Sequence, residues 1–475
     1  MGLQEIYDKL SFTDDSLIQL SDKDWKKKVV LPSRVCRLLE ENEFLRTLDA
    51  FFCFDNKPLI LFFKDPLDKK ALHQAIWNFN ESPIAIIVEN NVVEIFNGFA
   101  IDENKQLLKR LGGNETLNDF TYFELVTGKT WEKYNDDISY KNRVDYRLLE
   151  NIEAVQKLLK EKGLTQTTAN ALLGKIIFFR YLIDRHVRLN YQEKELWSND
   201  DLCNCLSNRN EFIAFIRHIE NKDTGFNGDM FRISESEFDT IGQDALNVLI
   251  RLLRSDEIST GQQSLFNIYD FSILPIEFIS NMYEKFIGKE NQETEGAYYT
   301  PTFLVDYIVS ETIGKKLKES NDYNCKVLDP ACGSGIFLVE SLRKIIEKYI
   351  AINEITDTNT DDFRQTLKSI AQENIFGIDK DPSAIQVAIF SVYLTLLDYQ
   401  KPADIGSFKF PNLLGTNFIC SDTFDLDNKD LKALEDRKLH FDYIIGNPPW
   451  KGSGGDEVAP VSYTHLRAHE TGRNL

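Results

Sequence analysis

"VLDPACGSGIFL", residues 327–338, decides the fold. Its apolar start reads as a buried strand, Gly333 and Gly335 form a tight Gly-x-Gly turn, and the apolar run that follows begins a helix. The two glycines let the backbone approach a ligand closely, and the helix N-terminus offers unpaired N–H groups. Taken alone, the turn also fits a plain strand-to-helix connection. It does not fit the dinucleotide fingerprint, because Leu338 stands at the third glycine position and keeps the helix from sitting close to a pyrophosphate.

Outward from this turn, strands and helices alternate from Gly296 onward. "GIFLVESLRKIIEKYI" carries Leu338, Leu342, Ile345, Ile346 and Tyr349 on one helical side. "NIFGID" is the next strand and "PSAIQVAIFSVYLTLL" the next helix, with Asp381 at its N-cap and Pro382 at its first position. "FICSD" and "FDYIIG" are further strands. Such alternation implies α/β architecture: a parallel, doubly wound sheet with its ligand at the strands' carboxyl ends. Asp379, ending the second strand, is the expected carboxylate for ribose hydroxyls, since Asp381 makes the better cap. It lies farther from the glycines than the usual spacing of about 20 residues. "NEITDTNTDDFRQTLKSIAQE" accounts for the excess as an inserted loop and helix.

The preceding chain changes character twice. Residues 146–290 read as a helical domain, with "YRLLENIEAVQKLLKEKG" closed by Gly163, then "TTANALLGKIIFFRYLIDRHV", "DALNVLIRLLRS" and "LPIEFISNMYEKFIG". Residues 1–145 read as mixed α/β. "LDAFFCFDNKPLILFFK" gives two strands around the turn Asp55-Asn56-Lys57-Pro58, "DKKALHQAIWNF" a helix, and "SPIAIIVENNVVEIFNGF" two strands around Glu89-Asn90-Asn91.

At 475 residues the chain is too long for one ordinary core. Hydrophobic content of 42% excludes a disordered protein. No stretch is long and apolar enough to span a bilayer. "MGLQEIYDKLSFTDDS" lacks the basic start and apolar run of a secretory signal. The seven cysteines form no Cys-x-x-Cys pair, and Cys203-x-Cys205 has the wrong spacing for a zinc knuckle, so the expectation is a reduced, cytoplasmic protein. A net charge of −20 argues against a chain that coats nucleic acid, though not against a locally basic site.

Asp329-Pro330-Ala331-Cys332-Gly333-Ser334-Gly335, followed at distance by Asn447-Pro448-Pro449-Trp450, resembles the N6-adenine DNA methyltransferases, and more narrowly those of type I and type IIG restriction-modification systems. Three further stretches recur in the family's order: "GAYYTPTFLVDYIV" (296–309), "FGIDKDP" (376–382) and "CSDTF" (420–424). The resemblance is specific over about 296–452, moderate over 146–295 and weak before that. It implies a Rossmann-like S-adenosylmethionine-dependent domain over 291–459. Tyr299, Thr300 and Pro301 would hold the cofactor's methionine moiety. Asp329, Cys332, Gly333 and Gly335 would line its amino acid and ribose. Asp379 would take the ribose hydroxyls and Asp422 the adenine amino group. The bland readings are a helix cap for Thr300-Pro301 and a solvated turn for Asp422.

The chemistry of Asn447-Pro448-Pro449-Trp450 suits an exocyclic amine. Its lone pair is delocalised into the ring, and two acceptors aimed at its N–H bonds free that pair and favour the positive charge that develops. Asn447 Oδ1 and the Pro448 carbonyl are the candidate acceptors, the prolines would fix the backbone, and Trp450 would offer an aromatic face to a flipped adenine. The alternative activities are N5-glutamine methylation of a protein, which uses the same residues on an amide, and a nuclease or DNA-binding subunit with an inactive methyltransferase. The implied partners are double-stranded DNA and separate specificity or restriction subunits.

The N-terminal segment resembles, at a distance, the restriction-nuclease core placed before the methyltransferase in type IIG enzymes. That core holds Mg²⁺ with an aspartate and a Glu-x-Lys. Asp49 or Asp55 fits the aspartate and Lys64 the lysine, but Phe62 stands at the glutamate position and cannot ligate a metal. The expectation is a degenerate, structural domain, with Mg²⁺ relevant only if it cuts DNA. The tail "VSYTHLRAHET" (461–471) follows "GSGGDEVA" abruptly and resembles the translation of a library-preparation adapter. Residues 460–475 are therefore expected to be non-native, with the last sheet strands and the target-recognition domain lying in a continuation of the natural gene.

Overall fold

Two kinds of strand sequence build two kinds of sheet. Strands joined by short turns fold mostly antiparallel, and strands separated by long helices fold parallel. The structure is a computed structural model describing residues 2–448 except 14, 30, 55–56, 103–104, 106, 222–230, 232, 255–268, 275–299, 301, 401–407 and 426. The described residues gather into two compact units, one within 1–219 and 231–278, the other within 279–402 and 406–448.

The first unit holds a six-stranded sheet in sequential order: β1 (Leu17–Gln19), β2 (Ala50–Phe54), β3 (Lys57–Lys64), β4 (Ile84–Glu89), β5 (Val92–Asp102) and β6 (Leu107–Gly113). Only β3 and β4 pair in parallel. Their crossover is a helix, Lys69–Phe79, started by the Asp68 carboxylate accepting from the Ala71 N–H at 2.9 Å. β4 and β5 form the expected hairpin, whose turn residues Asn90 and Asn91 take φ of 50° and 64°. Lys57 and Pro58, read above as turn residues, instead open β3. The register against β2 shifts there, where a proline without an N–H is tolerated. Helix Leu3–Leu10, β1 and β6 carry no sequence signal noted above. The core joins Phe52, Ile60, Phe62, Ile84, Ile86 and Ile95 to Ile6, Tyr7 and Leu10 of that helix.

Helices Val144–Glu161 and Gln166–Asp184 belong to the same unit. Gly163 closes the first at φ 93°, as its position predicts. The second is buried on nearly every side, which explains its all-round apolar sequence. Inside it, Arg180 Nε meets both carboxylate oxygens of Asp184 at 2.9 Å, and Asp184 accepts from the Phe271 N–H at 2.9 Å. The expected helix "LPIEFISNMYEKFIG" lies outside the described residues from position 275. No helix among the described residues is long and apolar enough to cross a membrane.

The second unit holds a four-stranded sheet, entirely parallel: β7 (Val327–Asp329), β8 (Ile375–Asp379), β9 (Phe418–Cys420) and β10 (Tyr443–Ile444), ordered β10-β7-β8-β9. The chain steps outward from β7 to β9 and then returns to the other side of β7. The order therefore reverses between β7 and β10, and that reversal opens a crevice at the strands' carboxyl ends. Helix α1 (Ile336–Ile352) follows β7, α2 (Asp361–Asn374) is the inserted helix anticipated above, and α3 (Pro382–Asp398) follows β8. Leu338, Leu342, Ile345 and Ile346 of α1 are fully buried, each contributing roughly 1.5–3 kcal/mol. Asp381 caps α3 by accepting from the Ser383 N–H at 2.8 Å, with Pro382 as its first residue. Phe376, Ile378 and Ile419 pack against Leu434, Leu431 and Phe441. This is a Rossmann-like, doubly wound α/β domain.

Candidate active site

Apart from Thr300, which precedes the helix Thr302–Val309, the described parts of the site extend from strand ends. β7 ends in Asp329, which is 1% exposed, and its Oδ1 accepts from the Ala331 N–H at 3.0 Å. The next residues turn back over β8: the Cys332 N–H donates to the Ile378 carbonyl at 2.9 Å, and the Gly333 N–H to Asp379 Oδ2 at 2.8 Å. The Gly335 N–H closes the turn on the Cys332 carbonyl at 2.8 Å. Gly333 and Gly335 take φ of 51° and 82°, in the region that disfavours a side chain. A Cβ on Gly335 would stand 2.9 Å from that of Ala388, so α1 starts in close contact with α3. A Cβ on Gly333 would meet nothing within 4 Å, so the space over the turn is open to a ligand.

Asp379 ends β8 and is engaged at both oxygens, with Oδ1 accepting from the Asp381 N–H at 2.9 Å. Each carboxylate oxygen keeps a further lone pair for a hydroxyl. Its carbonyl accepts from the Ser421 N–H at 2.9 Å, which brings β9's exit alongside. Asp422 is exposed there, its Oδ1 accepting from the Phe424 N–H at 2.9 Å. Thr423 Oγ1 donates to the Pro330 carbonyl and ties this loop to the glycine turn. The sequence offered no signal for Thr423, because its partner lies on a different strand end.

On the other side of β7, the Ile445 N–H donates to the Leu328 carbonyl at 2.9 Å, the last rung before the chain leaves the sheet. Gly446 follows, and a Cβ there would stand 2.2 Å from Asp329 Oδ1. Asn447 and Pro448 come next, both half-buried. The strand is anchored at its start by Asp442, whose Oδ2 accepts from the Lys326 N–H at 2.8 Å and whose Oδ1 pairs with Lys316 Nζ at 2.5 Å. Thr300 is described and buried. Tyr299, Pro301, Pro449 and Trp450 lie outside the described residues.

The electrostatics follow from burial. Removal from water pushes the Asp329 carboxyl up to about 7, against the Ala331 N–H, with the Asp379 charge adding to the rise. Burial also raises Asp379, against the N–H groups of Asp381 and Gly333. The two carboxyls thus form an acidic lining suited to a cationic ligand with hydroxyls. Burial holds the Cys332 thiol well above its ordinary value, so it stays protonated and serves as soft apolar surface, not as a nucleophile.

In the N-terminal sheet the Asp49 N–H donates to the Phe62 carbonyl at 3.0 Å, and burial raises the Asp49 carboxyl against the influence of the nearby Lys64. Asp49 and Lys64 are therefore neighbours, while Asp55 lies outside the described residues. Phe62 is fully buried, its ring 5.0 Å from that of Tyr7.

Comparison with known proteins defines the class. Residues 275–465 match the family model for N-6 DNA Methylase, which covers the glycine turn, both carboxylates and Asn447-Pro448. Over these residues the chain is similar to the N-6 DNA methylases. Among particular relatives, the chain is similar to the type II restriction enzyme and methyltransferase RM.Eco57I of Escherichia coli. The two are 26% identical over 357 residues, which is 66% of this chain and 34% of that protein. It is also similar to the adenine-specific methyltransferase PglX of Streptomyces coelicolor, 23% identical over 122 residues, 25% of this chain and 9% of that one. Among solved structures, the type IIL restriction-modification enzyme MmeI in complex with DNA matches with a TM-score of 0.42 at 16% identity, covering 64% of this chain and 43% of that one. The chain spans about a third of RM.Eco57I and less of PglX.

Proposed function

We propose that this chain transfers the methyl group of S-adenosylmethionine to the N6 amine of a flipped adenine in double-stranded DNA, within a restriction-modification or related defence system. One observation carries the reading: the open glycine turn, the buried Asp329, the half-buried Asp379 and the Asn447-Pro448 step all extend from neighbouring strand ends, at the reversal of strand order between β7 and β10. When bound, S-adenosylmethionine supplies an electrophilic methyl group on a sulfonium. Asp379 and the N–H groups at the start of α1 orient it, and Asp329 faces its cationic amino-acid end.

Asn447 Oδ1 and the Pro448 carbonyl accept from the two N–H bonds of the adenine amine. That draws the nitrogen toward tetrahedral geometry and stabilises the charge that forms on it. The protonated product amine is acidic enough to release its proton to water, so alignment is the main contribution. Trp450 stacks on the flipped base. The N-terminal sheet serves as a structural part, since Phe62 fills the core where a metal-binding carboxylate would be needed.

The test is transfer of tritium from methyl-labelled S-adenosylmethionine by the full-length protein, offered DNA and protein together. Label in DNA that resolves as N6-methyladenine is the expected result. Label in protein glutamine instead would replace this reading with amide methylation.

A further inference from the structure

Asp329 stands between the two halves of the site. On one side its Oδ1 accepts from the Ala331 N–H and sets the start of the glycine turn. On the other, the backbone of Gly446 lies directly against the same carboxylate: an added Cβ would stand 2.2 Å from Oδ1, 2.8 Å from Cγ and 3.2 Å from Oδ2. Real carbon–oxygen contacts do not approach 2.2 Å. Gly446 is not required by its torsion, because its φ lies outside the left-handed region where glycine is favoured. It is required by contact with one side chain.

The carboxylate can yield little. Asp329 is 1% exposed and terminates a strand paired on both sides, to Gly377 in β8 and, through Leu328, to Ile444 in β10. The neighbouring strand is equally fixed, by the Ile445–Leu328 rung and the clamp of Asp442 by Lys316 and Lys326. Between these fixed points, the residue that leads into Asn447 rests on Asp329.

We propose that Asp329 is a positioning residue for the acceptor loop, and that its contact with Gly446 sets where Asn447 and Pro448 present their oxygens. This rests on the methyltransferase reading and deepens it. The carboxylate that faces the cationic end of the cofactor also carries the backbone of the amine-binding step. A shift of the carboxylate moves Gly446, and the two acceptors follow.

The experiment uses the full-length protein, with DNA carrying the target site found by methylome sequencing, and reads single-turnover methyl transfer alongside equilibrium S-adenosylmethionine affinity. Gly446→Ala is expected to slow transfer at least ~30-fold, somewhat less than the roughly 10²–10³-fold cost of removing one transition-state hydrogen-bond partner, because the acceptors are displaced and not deleted, while affinity changes less than about threefold. Gly446→Ala combined with Asp329→Ala, which removes the obstructing atoms, is expected to recover at least about fivefold over Gly446→Ala. That recovery would arise even though Asp329→Ala alone weakens the enzyme, because contacting residues do not act additively. Transfer by Gly446→Ala within threefold of wild type overturns the proposal, as does a double variant no faster than Gly446→Ala. If Gly446→Ala does not fold, recovery of folding and transfer in the double variant still supports the contact, and no recovery overturns it. A wild-type protein that methylates no DNA would instead sink the methyltransferase reading itself.

Discussion

The two sheets are built from similar apolar strands, yet among the described residues they end in different side chains. In the first unit β3 and β4 lie side by side, parallel and fully packed, and the face of β3 that could reach a ligand carries Phe62 into the core. In the second unit β7 and β8 are also parallel and packed, but each ends in an aspartate, and a third neighbour, β10, delivers Asn447 beside them. The difference lies in strand order. The first sheet runs in sequence from β1 to β6, whereas the second reverses at β7. Reversal leaves adjacent strand ends whose connections depart in opposite directions, and polar groups can converge in the space between them.

The sharpest way to break this contrast is to remove the acceptor. Asn447→Ala is expected to cut methyl transfer 10²–10³-fold, about 3–4 kcal/mol, with S-adenosylmethionine affinity retained. Radiolabel transfer and equilibrium dialysis measure the two quantities, and an Asn447→Ala enzyme near full activity would remove the second sheet's claim to chemistry.

A second test asks whether the first sheet is a dormant metal site or simply core. Phe62→Glu would restore a nuclease-like carboxylate by sequence. Because Phe62 sits against Tyr7 and Phe12, the variant is instead expected to lose about 3–5 kcal/mol of stability in denaturant unfolding and to gain no Mg²⁺-dependent DNA cleavage. A stable variant that cleaves DNA would show a site needing only its ligand.

The smallest effect concerns pH. The folded-state carboxyl of Asp329 is raised from 3.8 to about 7, so the unfolded chain releases that proton first. The group's contribution is full below about pH 4 and is lost as pH rises through 7. Without added S-adenosylmethionine, wild type should therefore lose on the order of 2–3 kcal/mol relative to Asp329→Asn between pH 5 and pH 8. Unfolding curves at several pH values measure the gap. A constant gap would mean that Asp329 is already ionised in the free protein.

Much of the second unit was legible because its signals are local. The glycine turn, the Asp381 cap with Pro382, and the inserted helix before β8 are each fixed by residues within a few positions of one another. The first sheet was legible only in part. β1 has three residues, and β6, "LLKRLGG", lacks the near-continuous apolar run of β4. The long-range ties were not legible at all. Thr423 to Pro330, Asp442 to Lys316 and Asp329 against Gly446 join residues about a hundred positions apart, and none has a composition that sets it apart from a surface turn. The same limit applied to Asp379. Its residue type and place at a strand end suggested a ligand carboxylate, but its work in holding Gly333 and Asp381 became visible only in three dimensions.

The most direct test of the central claim is methylome sequencing of cells that express the complete gene, beside cells that express it with Asn447→Ala. N6-methyladenine at one recurring sequence in the first culture, and its loss in the second, is the predicted result. An unmodified genome in the first culture, or the same methylation pattern in both, would contradict the assignment of Asn447 and Pro448 as acceptors for an adenine amine.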